Sequence, residues 1–301
     1  MKKVEVICPL FNGKSFVDTL VSSILKQKEI DIKRINFIIT DTNDGTENHL
    51  VNIDNRINYK IIKREDYSHS LTREKAIFES DSDIVIMISQ DIKINDDMCF
   101  FNLVKCFDTD ENIAISYGRQ ISDKNNIEKY IREVNYPNYS FITTSDDIKK
   151  EQLNAFFFSD AFSAYDVNVF KKINGYDNKN LPTNEDMYYA KKILLLGYKK
   201  YYSSEAVVVH SHNYKLKELY SRYYNYGKFF KEVPEFKNYK STQSGLSLAL
   251  KVFKKAFKEL NFRVLFRFIP DMFVRYVGKK RGERKWKELF LLGDLVLDYT
   301  H

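Results

Sequence analysis

Four short apolar runs constrain the first third of the chain: VEVICPL (4–10), INFIIT (35–40), YKIIKR (59–64) and DIVIMIS (83–89). Helical patterns separate them. In SFVDTLVSSILKQ (15–27), Phe16, Leu20, Ile24 and Leu25 fall at helical spacing behind a candidate cap, Ser15. SLTREKAIFES (70–80) is a second such pattern. The order strand, helix, strand, strand, helix, strand predicts an α/β fold with a largely parallel central sheet flanked by helices. Ligands of such sheets gather at the carboxyl ends of the strands. Asp41 and Asp91 both fall at such ends.

Beyond residue 94 the pattern loosens. A helix is expected over 95–107, a strand over 113–120, a mobile loop with a short helix over 121–152, and a strand with a short helix over 155–176. EDMYYAKKILLLGYK (185–199) predicts a helix with Gly197 near its end, and YYSSEAVVVHSHNY (201–214) a strand stopping in two histidines. After residue 215 the chain turns helical and amphipathic, over 216–230 and 246–269. A domain boundary is therefore expected near 215, with 1–215 as the first unit and 216–301 as a helical, basic region.

The bulk numbers fit a soluble globular protein, with 44% hydrophobic and 30% charged residues. Its 301 residues allow one large domain or two smaller ones. Three scattered cysteines without metal-ligand spacing, Cys8, Cys99 and Cys106, predict reduced structural thiols in a cytoplasmic setting. The N-terminal MKKVEVICPLFNG has no long apolar core, so no signal peptide is expected, and no window predicts a transmembrane helix. Charge is uneven. From Lys215 onward there are 20 Lys and Arg against 9 Asp and Glu, an excess of 11; the whole chain carries +7, so residues 1–214 carry −4. A basic tail on an acidic body predicts an anionic partner, membrane or nucleic acid.

Five positions could carry chemistry, and each has a plain structural alternative. Asp91 follows a strand built for burial. A carboxylate there either caps a turn or holds Mg²⁺ or Mn²⁺. Asp41 opens DTNDGT, strong turn chemistry, or accepts bonds from a nucleobase or ribose. In TNEDMYY (183–189), Thr183 and Asp186 have capping-box spacing and Asn184 is a second candidate cap; alternatively Asp186 is a general base, with Glu185 beside it. Arg73, near His69, either pairs with phosphate or sits in a salt bridge. His210 and His212 share one side if the strand persists, and either ligate a metal or close a turn.

Taken in order, CPLFNG, a strand ending in DTNDGT, a strand ending in SQD and a helix opening with ED resemble glycosyltransferase family 2, with its GT-A nucleotide-diphospho-sugar transferase fold, over residues 1–215. SHSLTR, ISQD, YGRQ (117–120), NYP (135–137) and FFFSDAFSAY (156–165) resemble its rhamnosyltransferase-type branch. The resemblance implies an inverting, metal-dependent transfer from dTDP-L-rhamnose, or alternatively a UDP-sugar, to a glycan or lipid-linked glycan of the bacterial surface. It places Pro9, Phe11 and Asp41 at the nucleoside, and Arg73 and Gln90 at the donor. Asp91 becomes the metal-linked carboxylate, with His212, or else His210, completing the site, and Asp186 the base. Ser89 stands where Asp-X-Asp would have its first carboxylate. The Gln-X-X-Arg-Trp motif of processive members is missing, since the single Trp286 lies in RKWKE. That implies addition of one or a few sugars.

In the tail, Leu246, Leu250, Phe253, Phe257, Leu260 and Val264 form one stripe, with Lys251, Lys254, Lys255, Lys258 and Arg267 off it. The stripe either packs on the catalytic domain, buries a homodimer interface, or anchors the protein peripherally on anionic lipid at the inner face of the membrane. No nucleic-acid module is recognisable, so no nucleic-acid partner is expected.

Overall fold

The computed structural model describes residues 2–284, apart from the side chains of residues 241–244. The first half runs β1 (Lys3–Phe11), α1 (Val17–Leu25), β2 (Asp31–Thr40), β3 (Ile57–Ile62), α2 (His69–Glu79), β4 (Ile84–Ile88), α3 (Cys99–Val104), β5 (Ile113–Ile121) and α4 (Ile127–Asn135). It continues with β6 (Phe141–Thr143), α5 (Asp147–Glu151), β7 (Phe162–Asp166), α6 (Val167–Lys172), α7 (Glu185–Leu195) and β8 (Lys199–Val209). Three long helices follow: α8 (Leu216–Glu232), α9 (Ser241–Lys258) and α10 (Phe262–Glu283).

The described strands form one sheet in the order β3-β2-β1-β4-β7-β5-β8-β6, in which only β7 and β6 run against the rest. The α/β expectation from the apolar runs therefore holds. Alternate side chains of one strand enter opposite faces. Ile84, Ile86 and Ile88 of β4 join one core with α1 and α3, while Val85 and Met87 join the other with α7. Burial on both faces is why the run reads as unbroken apolar sequence.

Several local expectations differ from the structure. Ser15 lies in a 3-10 turn, and Phe16, not Ser15, stands at the start of α1 without a side-chain cap bond. Residues 121–152 hold two helices and a strand, α4, β6 and α5, where a mobile loop with one short helix is expected. Asn126 caps α4 by accepting from Glu128 N at 3.1 Å. Ile127, Tyr130, Ile131 and Val134 line a third core against Val252, Ala256 and Val264. This stripe, spaced i, i+3, i+4, i+7, is interleaved with enough charge to read as a polar stretch.

The helical stretch expected over 246–269 is divided between α9 and α10. The chain breaks at Glu259–Asn261, where Leu260 takes a left-handed φ of 52° and the Asn261 side chain accepts from Val264 N to start α10. The sequence change at 215 does not separate two cores. Phe229, Phe230 and Phe236 pack in the same cluster as Phe156 and Tyr189. Helices α8 and α10 cross with backbones in contact: a Cβ on Gly282 would lie 2.1 Å from the Tyr224 carbonyl oxygen. Cys8, Cys99 and Cys106 are buried free thiols, as expected, and burial pushes all three thiol pKa values up. Trp286 lies outside the described residues. Among the described residues no helix is long and apolar enough to cross a membrane.

Candidate active site

The site forms where three strand ends converge. After β4 the Ser89 amide donates to Ala161 O (3.0 Å), and the chain turns through Gln90 and Asp91. Lys93 and Val209 then exchange two backbone hydrogen bonds (2.8 and 2.9 Å). This bridge lays the segment after Asp91 against the end of β8, although β7 and β5 separate the two strands within the sheet. The His210 amide donates to Ile121 O of β5 at 2.9 Å. Asp91 thereby meets both histidines: Oδ1 lies 3.4 Å from His210 Nε2, and Oδ2 lies 3.7 Å from His212 Nδ1. The strand stops at Val209, yet the alternation still keeps both rings together, 4.4 Å between centroids. One ligand atom from each of the three residues falls within 4.8 Å of the others.

Hydrogen bonding fixes the tautomer of His210. Gln120 Oε1 accepts from the Arg132 guanidinium, which can only donate. The His210 Nδ1, 2.8 Å from the same oxygen, must therefore donate too. In the neutral ring this leaves the Nε2 lone pair aimed at the Asp91 carboxylate, two acceptors face to face. Burial pushes the pKa values of both histidines below the ordinary imidazole range, so at neutral pH a proton does not fill the gap. A divalent cation would. Two imidazole nitrogens and a carboxylate fit a transition ion such as Mn²⁺ better than Mg²⁺, which prefers oxygen throughout. Tyr214 stacks on His212 (4.8 Å, 26°), and the exposed Arg222 lies 5.4 Å over the Tyr214 ring.

The acids of α7 do not cap it. Asn184 is left-handed (φ 62°) and makes no side-chain cap bond, while Thr183 Oγ1 donates to Asn184 Oδ1 (3.1 Å) instead. The capping-box alternative for Thr183 and Asp186 is thus removed. Asp186 is half-buried and accepts from the Met187 amide (2.7 Å). Burial, then the charges of Glu185 and Asp160, hold its carboxyl well above the usual carboxylate range, outweighing Arg73.

Arg73 differs from its expected place at the diphosphate. It is buried, with Nη1 3.2 Å from Glu185 Oε1 and donating to His69 O (2.7 Å), and Nε 3.8 Å from Asp160 Oδ2. Two buried carboxylates hold it, so it is not open to a phosphate. Glu185 turns inward for the same reason. Asp160 accepts from Tyr165 Oη (2.5 Å) and Ser163 Oγ (2.9 Å). Burial, with the charge of Glu185, pushes its carboxyl up to about 6, against Arg73 and these hydroxyls.

At the other end, Gln90 is a clamp. Its Oε1 accepts from the Phe11 amide (2.8 Å) and its Nε2 donates to the Phe11 carbonyl (2.9 Å), so its amide is engaged by backbone, not by a donor. That clamp joins the ends of β1 and β4 and fixes Pro9–Phe11. The Phe11 ring is exposed, with the Arg64 guanidinium 5.5 Å from its centroid. Asp41 is exposed and accepts from Asn43 N (3.2 Å), which fits the turn reading.

The sequence reasoning missed Gln120, Arg132, Asp160, Arg222 and Lys200. Only YGRQ hinted at the first, through a polar residue inside an apolar strand. Lys200 is buried, donates to Phe157 O and lies 5.4 Å from the Tyr117 centroid. Burial pulls its ammonium down to about 7, against Asp186 and Asp147.

A mostly parallel sheet with a carboxylate–histidine cluster and a raised carboxyl at its strand ends is the frame of a GT-A nucleotide-sugar transferase. Residues 5–174 match the family described as Glycosyl transferase family 2, and the chain belongs to that family. It is similar to the O-antigen chain rhamnosyltransferase RfbN of Salmonella typhimurium (strain LT2), 33% identical over 230 residues, 75% of this chain and 72% of that protein. It is also similar to the O-antigen chain rhamnosyltransferase WbaN of Salmonella anatum, 31% identical over 195 residues, 64% of this chain and 61% of that one. Among solved structures it resembles the mannosyltransferase PcManGT from Pyrobaculum calidifontis in complex with GDP-Man and Mn²⁺. The TM-score is 0.62 at 15% identity, covering 95% of this chain and 88% of that one. TarS of S. aureus in complex with UDP-GlcNAc gives a TM-score of 0.54 at 12% identity, covering 92% and 90%. At these identities the structural likenesses speak to fold.

Proposed function

We propose that this glycosyltransferase moves L-rhamnose from dTDP-L-rhamnose, with inversion, onto a hydroxyl of a growing bacterial surface glycan. The similarity to RfbN across three quarters of the chain carries the choice of donor. In this reading Asp91, His210 and His212 hold Mn²⁺, which when bound offsets the charge of the leaving diphosphate. The PcManGT complex, with its sugar nucleotide and Mn²⁺, supports that assignment by analogy. Arg222, the exposed cation beside Tyr214 and His212, takes the phosphate role that the buried Arg73 cannot. Phe11 and Asp41 receive the nucleoside, held in place by Gln90.

Asp186 takes the proton from the acceptor hydroxyl. The oxygen then bonds to the anomeric carbon as the bond to the nucleoside diphosphate breaks, and the diphosphate leaves with the electron pair. A carboxyl held above its ordinary pKa is a stronger base once ionised, which suits this step. Arg73 and Asp160 act through Glu185 as positioning residues under the base.

The test is a donor panel, with product sugars followed by mass spectrometry on a rhamnose-accepting glycan and on simple lipid-linked sugars. Transfer from dTDP-L-rhamnose alone is the expected result. Transfer from a UDP-hexose or UDP-N-acetylhexosamine would overturn the donor and keep the family; the UDP-GlcNAc complex of TarS is the observation that keeps this second reading alive.

A further inference from the structure

The last two helices carry an unusual amount of exposed apolar surface. On α10, Phe262, Phe266, Ile269, Phe273 and Tyr276 are all exposed, Phe266 to 83%. On α9, Leu246, Leu250, Phe253 and Phe257 are exposed as well, and Leu260 just past its end continues the row. Each set follows the spacing i, i+4, i+7, i+11, i+14, so each is one continuous stripe along its helix. These are not the residues that hold the helices down. Val252, Ala256 and Val264 are buried, and together with Phe268 and Met272 they pack on α4. The helices are therefore docked through one face while another apolar face is left open. An open stripe of this length on a monomer marks an interaction surface.

The flanking charges choose the occupant. Residues 246–284 hold eleven Lys and Arg against three Asp and Glu. The three acids are already engaged: Glu259 with Lys129, Asp271 with Arg275, and Glu283 with Lys279 and Lys280. Lys251, Lys254, Lys258, Arg263 and Arg267 are exposed beside the stripes, and no ion pair joins them to a described residue. A second copy meeting through the same face would bring these cations against their own counterparts, with no unpaired acid among residues 246–284 to answer them. An anionic bilayer answers both features, since acyl chains cover the stripes and headgroup phosphates meet the cations.

We propose that α9 and α10 seat this protein on the surface of an anionic membrane, lying in the interface plane. The seat is independent of which sugar donor the site takes. The break at Glu259–Asn261 places Leu260 and Phe262 at the turn between the two stripes, making that turn the deepest point of contact.

The experiment is co-sedimentation of the full chain with vesicles of phosphatidylcholine alone and of equal parts phosphatidylcholine and phosphatidylglycerol, at low and high salt. Sizing by light scattering accompanies it. The expected result is binding to the anionic vesicles only, weakened by salt. Phe266→Ser/Ile269→Ser should lower the partition coefficient about tenfold or more. Donor binding and Tm should stay as in wild type, because both side chains are exposed and neither belongs to the site or to a buried core. No sedimentation with anionic vesicles overturns the proposal. So does a stable dimer that the same double variant dissociates, which would assign the stripes to a second copy. Equal binding to both vesicle types would overturn the charge argument and with it the choice of an anionic surface.

Discussion

At the scale of single residues the account turns on Asp186 and the charges beneath it. Asp186→Asn should reduce transfer by about 10²–10⁴-fold while leaving donor binding intact, as loss of a general base does. The pH profile is a sharper probe. Asp186 must be ionised to accept a proton, so activity rises with pH through its folded pKa, which lies above the ordinary carboxylate value. Glu185 raises that pKa and Arg73 lowers it. Glu185→Gln should therefore move the acid limb of kcat/KM to lower pH, and Arg73→Gln should move it to higher pH. A purely structural pair would change yield and Tm without moving the limb in opposite directions. Arg73→Gln should also cost about 3–5 kcal/mol of stability, because it leaves two buried carboxylates without their cation. The assays should be run well below the variant's Tm.

At the scale of elements, the break between α9 and α10 and the crossing of α8 with α10 make separable predictions. Leu260 is exposed yet held at φ 52°, a conformation that disfavours a side chain by roughly 1–2 kcal/mol. Leu260→Gly should raise Tm in a thermal melt, since the strain is relieved and little packing is lost. Gly282→Val should do the opposite, because even its Cβ would lie 2.1 Å from the Tyr224 carbonyl oxygen and the helices would have to part. The strands of the sheet were legible because both of their faces are buried, and so was the carboxylate that ends β4. The ordered stretch 121–152 was not, since the apolar stripe of α4 is interleaved with charge and finds its partners more than 100 residues away, in α9 and α10. The fate of Arg73 was illegible for a related reason. A motif shows that an arginine lies near a helix start, but its partners Asp160 and Glu185 are set by tertiary packing. The two histidines were found because strand alternation survives past Val209, whereas Gln120 and Arg132, which fix the ring, belong to other elements.

At the scale of the whole molecule, the ends of β4, β5 and β8 gather the chemistry, and the last helices, proposed as a membrane seat, pack on α4 through Val252, Ala256 and Val264. On that proposal the transferase would meet acceptors presented at a membrane surface, and no described helix is long and apolar enough to cross one. The proposed donor chemistry depends on the carboxylate–histidine cluster being a metal-assisted site. The most direct test is calorimetric titration of dTDP-L-rhamnose into wild type and Asp91→Ala, each with Mn²⁺ and with the metal chelated. The account predicts that wild type binds the donor only with Mn²⁺, and that Asp91→Ala binds at least about tenfold more weakly with it. Donor binding of equal strength in wild type with and without the metal, unchanged by Asp91→Ala, would contradict it.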